Sequence, residues 1–224
     1  MLKKKNYTTE KSINMNKQLF LILIMCILSL KICAQTEQII GNTSDSSKNS
    51  THQVNVAELK HFTFLDIPIN GSIKQFVKEL KKQNFKLEDI SDDDAVLSGR
   101  FSGDKVQLLV RGKKETVMSV TVIFPLRKSW TETKETYNYI KTILVTKYGE
   151  PKIITENFEK PFVDGMGNER EALKEGKCVF ENHYTTEKGE GMLGLKIHTD
   201  MSIILDYVDT ANYLKLSEEA KKKF

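Results

Sequence analysis

The chain has little cysteine. Of its three thiols, Cys26 and Cys33 sit in an apolar N-terminal stretch, and only Cys178 lies in the body of the sequence. Once a leader is removed, an internal disulfide is excluded, so the core must hold the fold alone. A lone cysteine within an alternating pattern reads first as a small buried residue. A nucleophile and an intermolecular bridge are its other uses. Long hydrophobic runs are scarce too. Leu19–Leu30 is apolar but for Ser29, and Lys31 ends it. A helix needs about 20 apolar residues to cross a bilayer, so no membrane span is expected once this stretch is gone.

The familiar catalytic and metal signatures are absent as well. There is no G-x-S-x-G elbow, no G-x-x-x-x-G-K-[ST] phosphate loop, no H-E-x-x-H and no C-x-x-C. The acidic run at Ser91–Ala95 places Asp92 and Asp94 like calcium ligands, but Val96 and Leu97 fall where further oxygens are needed. It reads as a solvated turn. Neither a metal nor a cofactor is expected.

The N-terminal stretch has the build of an export signal: lysines up to Lys17, an apolar segment, then Ala34 ahead of Gln35. Residues 1–34 are expected to be a signal peptide cut after Ala34, with Met15 a second plausible start. Lipidation at Cys33 is the rival, but Lys31 and Ile32 stand where a lipoprotein signal has small residues. Residues 1–34 hold six lysines and one acidic residue, a net of +5. Subtracting that from the chain's +4 leaves the remainder at −1. The basic footprint of a nucleic-acid binder is therefore missing, and no nucleic-acid partner is expected. Export would place the protein in the periplasm or on the cell surface.

Residues 35–60 are rich in Ser, Thr and Asn and read as a flexible polar tether. Residues 61–216 have the length of a single domain, and 217–224 form a charged C-terminal tail. Two helices stand out. In SIKQFVKELKKQNF, Ser72 and Gln75 form a capping box and Ile73, Phe76, Val77 and Leu80 make an apolar stripe. In SWTETKETYNYIKTILVTKYGEP, Ser129 and Glu132 form a second box, Tyr137, Ile140, Leu144 and Tyr148 line one side, and Gly149 with Pro151 stops the helix. Three strands follow the first helix: AVLSGRFSG, DKVQLLVRG and TVMSVTVIFP. In the last, Val117, Ser119, Thr121 and Ile123 share the face opposite Met118, Val120, Val122 and Phe124. About four follow the second: KIITENF, KCVFENHYT, MLGLKIHT and MSIILDYV. The segment from Glu159 to Gly176 is the expected mobile loop. The fold class is α+β: two helix-plus-antiparallel-strand repeats, about 61–125 and 126–210, forming one sheet with helices packed on one face.

The pairing of FLDIPINGSIKQFVKELKKQNF with YIKTILVTKYGEP resembles uncharacterised exported proteins of gut anaerobic bacteria. Their tandem helix-plus-strands repeat is similar in architecture to beta-lactamase inhibitor proteins. That resemblance implies a fold and a binding role for the open sheet face. It carries no catalytic residue across.

One polar constellation stands out. Glu181 and His183 share a side of their strand, and Lys196 and His198 share a side of theirs. If the two strands are neighbours, a carboxylate-oriented histidine for general-base chemistry becomes available, or a zinc site. The water-facing side of any sheet shows the same alternation. Three functions remain open. The first is a non-catalytic binding module of the cell envelope for a protein or glycan, with Arg100, Arg111 and Tyr207 as contact residues on the open face. The second is an envelope hydrolase using His183, His198 and Glu181. The third is a structural or assembly factor docking through the edge of MSIILDYV.

Overall fold

The computed structural model describes residues 60–113 and 115–221. The expected signal peptide, Cys33 and nearly all of the tether lie outside the described residues. The elements run in order. A short hairpin comes first, β1 (Thr63–Phe64) and β2 (Ile67–Pro68), then α1 (Ile73–Lys82). Four strands follow: β3 (Lys86–Ile90), β4 (Asp94–Phe101), β5 (Asp104–Lys113) and β6 (Thr116–Ile123). Then come α2 (Trp130–Tyr148), β7 (Ile153–Phe158), α3 (Glu169–Lys174), β8 (Cys178–Thr185), β9 (Gly191–Ile197), β10 (Ile203–Asp209) and α4 (Thr210–Lys221).

β3 to β10 form one antiparallel eight-stranded sheet in the order β3-β4-β5-β6-β10-β9-β8-β7. Each half is a helix followed by a four-stranded meander, and the last strand of each meets the other at the β6–β10 seam. The fold is therefore α+β, with paired helix-plus-strand halves in one sheet. The first half has one strand more than the sequence pattern suggests. β3 is KLEDI, mostly exposed, and a polar edge strand carries too few apolar residues to announce itself.

The capping signals act locally as written. Ser72 Oγ accepts the Gln75 N–H at 3.3 Å and the Gln75 side chain accepts the Ser72 N–H at 3.4 Å. Ser129 Oγ accepts the Glu132 N–H at 3.2 Å, but the Glu132 carboxylate reaches past the cap to the Lys128 N–H at 3.1 Å. The second box is thus only half closed. At the end of α2, Gly149 takes φ +80°, where a side chain would be strained, and its N–H bonds Val145 O.

The core lies between the helices and one face of the sheet. Ile73, Phe76, Val77 and Leu80 of α1 and Tyr137, Ile140 and Leu144 of α2 are buried there. They meet Leu97, Leu108, Val110 and Val122 from the first half and Phe180, Leu193, Leu195 and Leu205 from the second. Burying one such side chain stabilises by about 1.5–3 kcal/mol. The N-terminal arm adds Phe62, Phe64 and Ile69 to the same core. Phe62 stacks on Tyr207 at 5.7 Å and crosses β9 at Gly191, where a Cβ would come within 2.2 Å of the ring.

Several expectations are corrected. The ladder shifts between Arg111 and Gly112, leaving Met118 as the extra residue on β6. This bulge turns Val117 from the side of Ser119 onto the core side, where it is fully buried. The Glu159–Gly176 segment is packed, not hanging free. Phe162, Ala172 and Leu173 enter the core, α3 forms within it, and Asp164 accepts the Trp130 indole N–H at 2.6 Å and is paired with Lys134. Helix α4 runs to Lys221, so the charged tail begins inside a helix. Finally, MSIILDYV is no edge: β10 is central, between β6 and β9. The edges are β3 and β7.

Candidate open-face site

The period of two along each strand sends alternate residues away from the helices. Three cross-sheet rows on that face follow from the register. The first runs Ile153, His183, Gly194, Asp206, Thr121, Leu109 and Val96. The second runs Thr155, Glu181, Lys196, Ile204, Ile123, Gln107 and Ser98. The third runs Thr185, Met192, Val208, Ser119, Arg111 and Asp94. Aliphatic neighbours (Ile204–Ile123, Met192–Val208, Leu109–Val96) lie beside charged neighbours (Glu181–Lys196, Arg111–Asp94), and none of these positions holds Phe, Tyr or Trp. Leu109 is buried to 7% exposure yet stands outside the main core cluster, as its place on the far side of the sheet requires.

Charge is held in pairs across this surface. His183 Nε2 lies 3.2 Å from Glu181 Oε1, and Lys196 sits directly opposite Glu181. Burial pushes the Glu181 carboxyl up, but the His183 hydrogen bond and the charges of His183 and Lys196 outweigh it and hold it below the usual range. Thr121 Oγ1 donates to Asp206 at 2.6 Å. Arg111 is partly desolvated, which lowers its pKa, and the charges of Asp206 and Asp94 oppose that shift. Gly194 lies between His183 and Asp206. A Cβ there would meet the His183 ring at 3.8 Å and Asp206 Cβ at 3.9 Å, ordinary contact distances, so the glycine leaves a notch one side chain deep.

The structure separates the expected histidines. His183 and Glu181 form one pair. His198 lies past the end of β9 in the turn to β10, with Nδ1 3.0 Å from Asp200 Oδ1. Asp200 also accepts the Ser202 N–H and hydroxyl. The His198 hydrogen bond above all holds its carboxyl far below the usual aspartate range, against the opposing effect of burial. The strand pattern could not show this, because the turn captures His198 locally. Among the described residues no group of three His, Cys, Asp or Glu side chains is placed to hold a metal.

Two of the three contact candidates, Arg111 and Arg100, share the open face, and the third does not. Arg100 is exposed and donates to Gly103 O at 3.2 Å, lining a cleft of about 780 Å³ with Lys105, Gln107 and Ile123. Tyr207 is on the wrong side for contact. It is 7% exposed, facing the helices, stacked on Phe62 and edge-on to Phe64 at 5.1 Å. The parity of Ile203, Leu205 and Tyr207 puts it in the core, and desolvation raises its phenol pKa strongly. Cys178 is buried on β8, where burial pushes its thiol up to about 12, the opposite of an activated nucleophile.

Sequence reasoning missed a second polar cluster, under α2. The Glu156 carboxylate accepts from Lys141 Nζ at 2.7 Å, Asn182 Nδ2 at 2.7 Å and the Tyr137 hydroxyl at 3.2 Å. Asn182 is the signal that was available: it interrupts an apolar parity between Phe180 and Tyr184. Among the described residues no helix is long and apolar enough to cross a membrane. Comparison with protein-family models, curated proteins and solved structures finds no match for this chain.

Proposed function

We propose that the chain is an exported, non-catalytic binding module of the cell envelope that contacts another protein through its open sheet face. The observation that carries this reading is the composition of that face. Val96, Ile123, Ile204, Val208 and Met192 give aliphatic contact area, and paired charges cross it at Glu181–Lys196 and Asp94–Arg111. Interfaces combine an apolar centre with charges that set register and on-rate. A sugar ring stacks best on aromatic faces, so a polypeptide suits this surface better than a glycan. The same proposal includes kinship with the exported proteins whose tandem repeat resembles beta-lactamase inhibitor proteins. The symmetry of the two halves about the β6–β10 seam supports that kinship.

The experiment is affinity capture from an envelope extract. Wild type is compared with an open-face variant, Arg111→Glu with Lys196→Glu, and with a helix-face control, Lys78→Glu. The reading expects a partner bound by wild type and control and lost by the open-face variant. Equal capture by all three would refute it. The 3.2 Å His183–Glu181 contact favours one second reading, an imidazole oriented as general base in a hydrolase. Hydrolytic activity that survives His183→Ala would dismiss it.

A further inference from the structure

The two edges of the sheet are built in opposite ways. β3 is defended: Lys86, Glu88 and Asp89 are charged, and its register slips between Leu87 and Asp89. Charges and bulges are how sheets discourage strand addition. Within Ile153–Phe158 β7 has neither defence; the exposed Lys152, whose N–H bonds His183 O at 2.7 Å, stands just before it. It pairs β8 through six consecutive register positions without a shift, from Ile153–His183 to Phe158–Cys178. Its only charged residue, Glu156, turns inward to Lys141, Asn182 and Tyr137. Ile154 is 55% exposed, and the loop leaving β7 exposes Val163 and Met166.

The hydrogen bonds of this edge can be counted. Beyond the strand, Glu159 N–H bonds Lys177 O, so residues of odd number in β7 face β8. The N–H and C=O groups of Ile154, Glu156 and Phe158 therefore point away from the sheet. No other described strand pairs with them. We propose that a second copy of this chain adds here, β7 against β7 about a two-fold axis, joining two eight-stranded sheets into one. Two of the flanking charges favour self-pairing: an antiparallel two-fold through Thr155 brings Glu150 towards Lys160 of the second copy, while Lys152 falls opposite Phe158 and Glu159, already paired with Lys177, opposite Pro151. With Thr155 on the axis, Ile154 and Glu156 exchange hydrogen bonds with Glu156 and Ile154 of the second copy. Thr155 then faces its own copy in a non-hydrogen-bonded pair, a favourable cross-strand match. This inference concerns the edge alone and does not depend on the open-face reading.

Two variants of the full chain test it, with oligomeric state read by sedimentation. Ile154→Pro removes an edge donor that β8 does not use. It is expected to weaken dimerisation at least about tenfold, since the two-fold deletes the bond twice. Thr155→Cys is expected to give a covalent dimer on mild oxidation, well above any formed by wild type, because such pairs bring Cα atoms within disulfide reach. A monomeric wild type, or an Ile154→Pro chain that folds and still dimerises as wild type does, would overturn the proposal. Should Ile154→Pro fail to fold, the cysteine variant decides alone: failure to cross-link overturns the pairing.

Discussion

The halves of the sheet share a topology and one core, but fill it differently. Beneath α1 the contact is apolar throughout: Ile73, Phe76, Val77 and Leu80 against Ala95, Leu97, Leu108 and Val110. Beneath α2 the apolar layer of Tyr137, Ile140, Leu144 and Phe180 is broken by Asn182 and the Glu156 carboxylate. Buried polar groups cost stability unless satisfied, and this cluster is not fully satisfied: Asn182 Oδ1 and Tyr184 OH are buried with no hydrogen-bond partner in the structure. What the cluster gains is an anchor. Edge strand β7 has one strand neighbour, and Glu156 ties it to α2 through Lys141 and Tyr137. An edge secured from within can leave its outer rim free of charge, whereas β3, without such a tie, carries its charges outside.

The comparison can be strained at several points. The largest expected effect is common to both halves. Leu108→Ala and Leu195→Ala each remove a fully buried side chain and should each cost about 2–5 kcal/mol in urea unfolding. A marked inequality would show that one half is looser than its burial implies. Asn182→Ala takes a donor from both Tyr137 OH and Glu156 and should cost about 1–3 kcal/mol, with amide exchange rising first in β7. Faster exchange in β3 instead would break the argument that Glu156 anchors the edge. Ser72→Ala and Ser129→Ala each remove a cap worth about 1 kcal/mol. Ser72→Ala should be the costlier, because only its box is reciprocal.

The smallest effect is an acid response confined to the second half. Hydrogen bonds from Lys134 and Trp130 hold the Asp164 carboxyl below its ordinary value, so folding benefits while it is ionised. That benefit is complete above the ordinary aspartate value near 4 and fades as pH falls through the lowered one. Trp130 is the only tryptophan, and its indole donates to Asp164, so its fluorescence should shift on acidification before the β-sheet signal changes. Simultaneous loss of both signals would mean that the Glu159–Gly176 segment does not respond separately.

How much was legible in the sequence varies with the range of the interaction. Ser72, Ser129 and Gly149 act within one turn, so α1 and α2 could be read directly, whereas α4, longer than α1, was not expected. Alternation in DKVQLLVR and KCVFENHYT gave the faces correctly, including Glu181 and His183 on the open side. Legibility failed where a neighbour intervened. The bulge at Met118 depends on β5 and reversed Val117. The turn after β9 pairs His198 with Asp200, which its spacing from Lys196 does not reveal. Tyr207 was assigned to the open face against its own parity with Ile203 and Leu205, which places it in the core, where Phe62 and Phe64 return to cover it.

The sequence alone determined what is local: where helices start and stop, which strand residues share a side, and that the described domain must hold without a disulfide. Tertiary structure alone decided which strands meet, and with that which edges stay bare and which charges pair across the open face. The reason is that strand register is a non-local choice. It is settled by the total apolar area that two halves bury together, and no single strand carries that sum in its own residues.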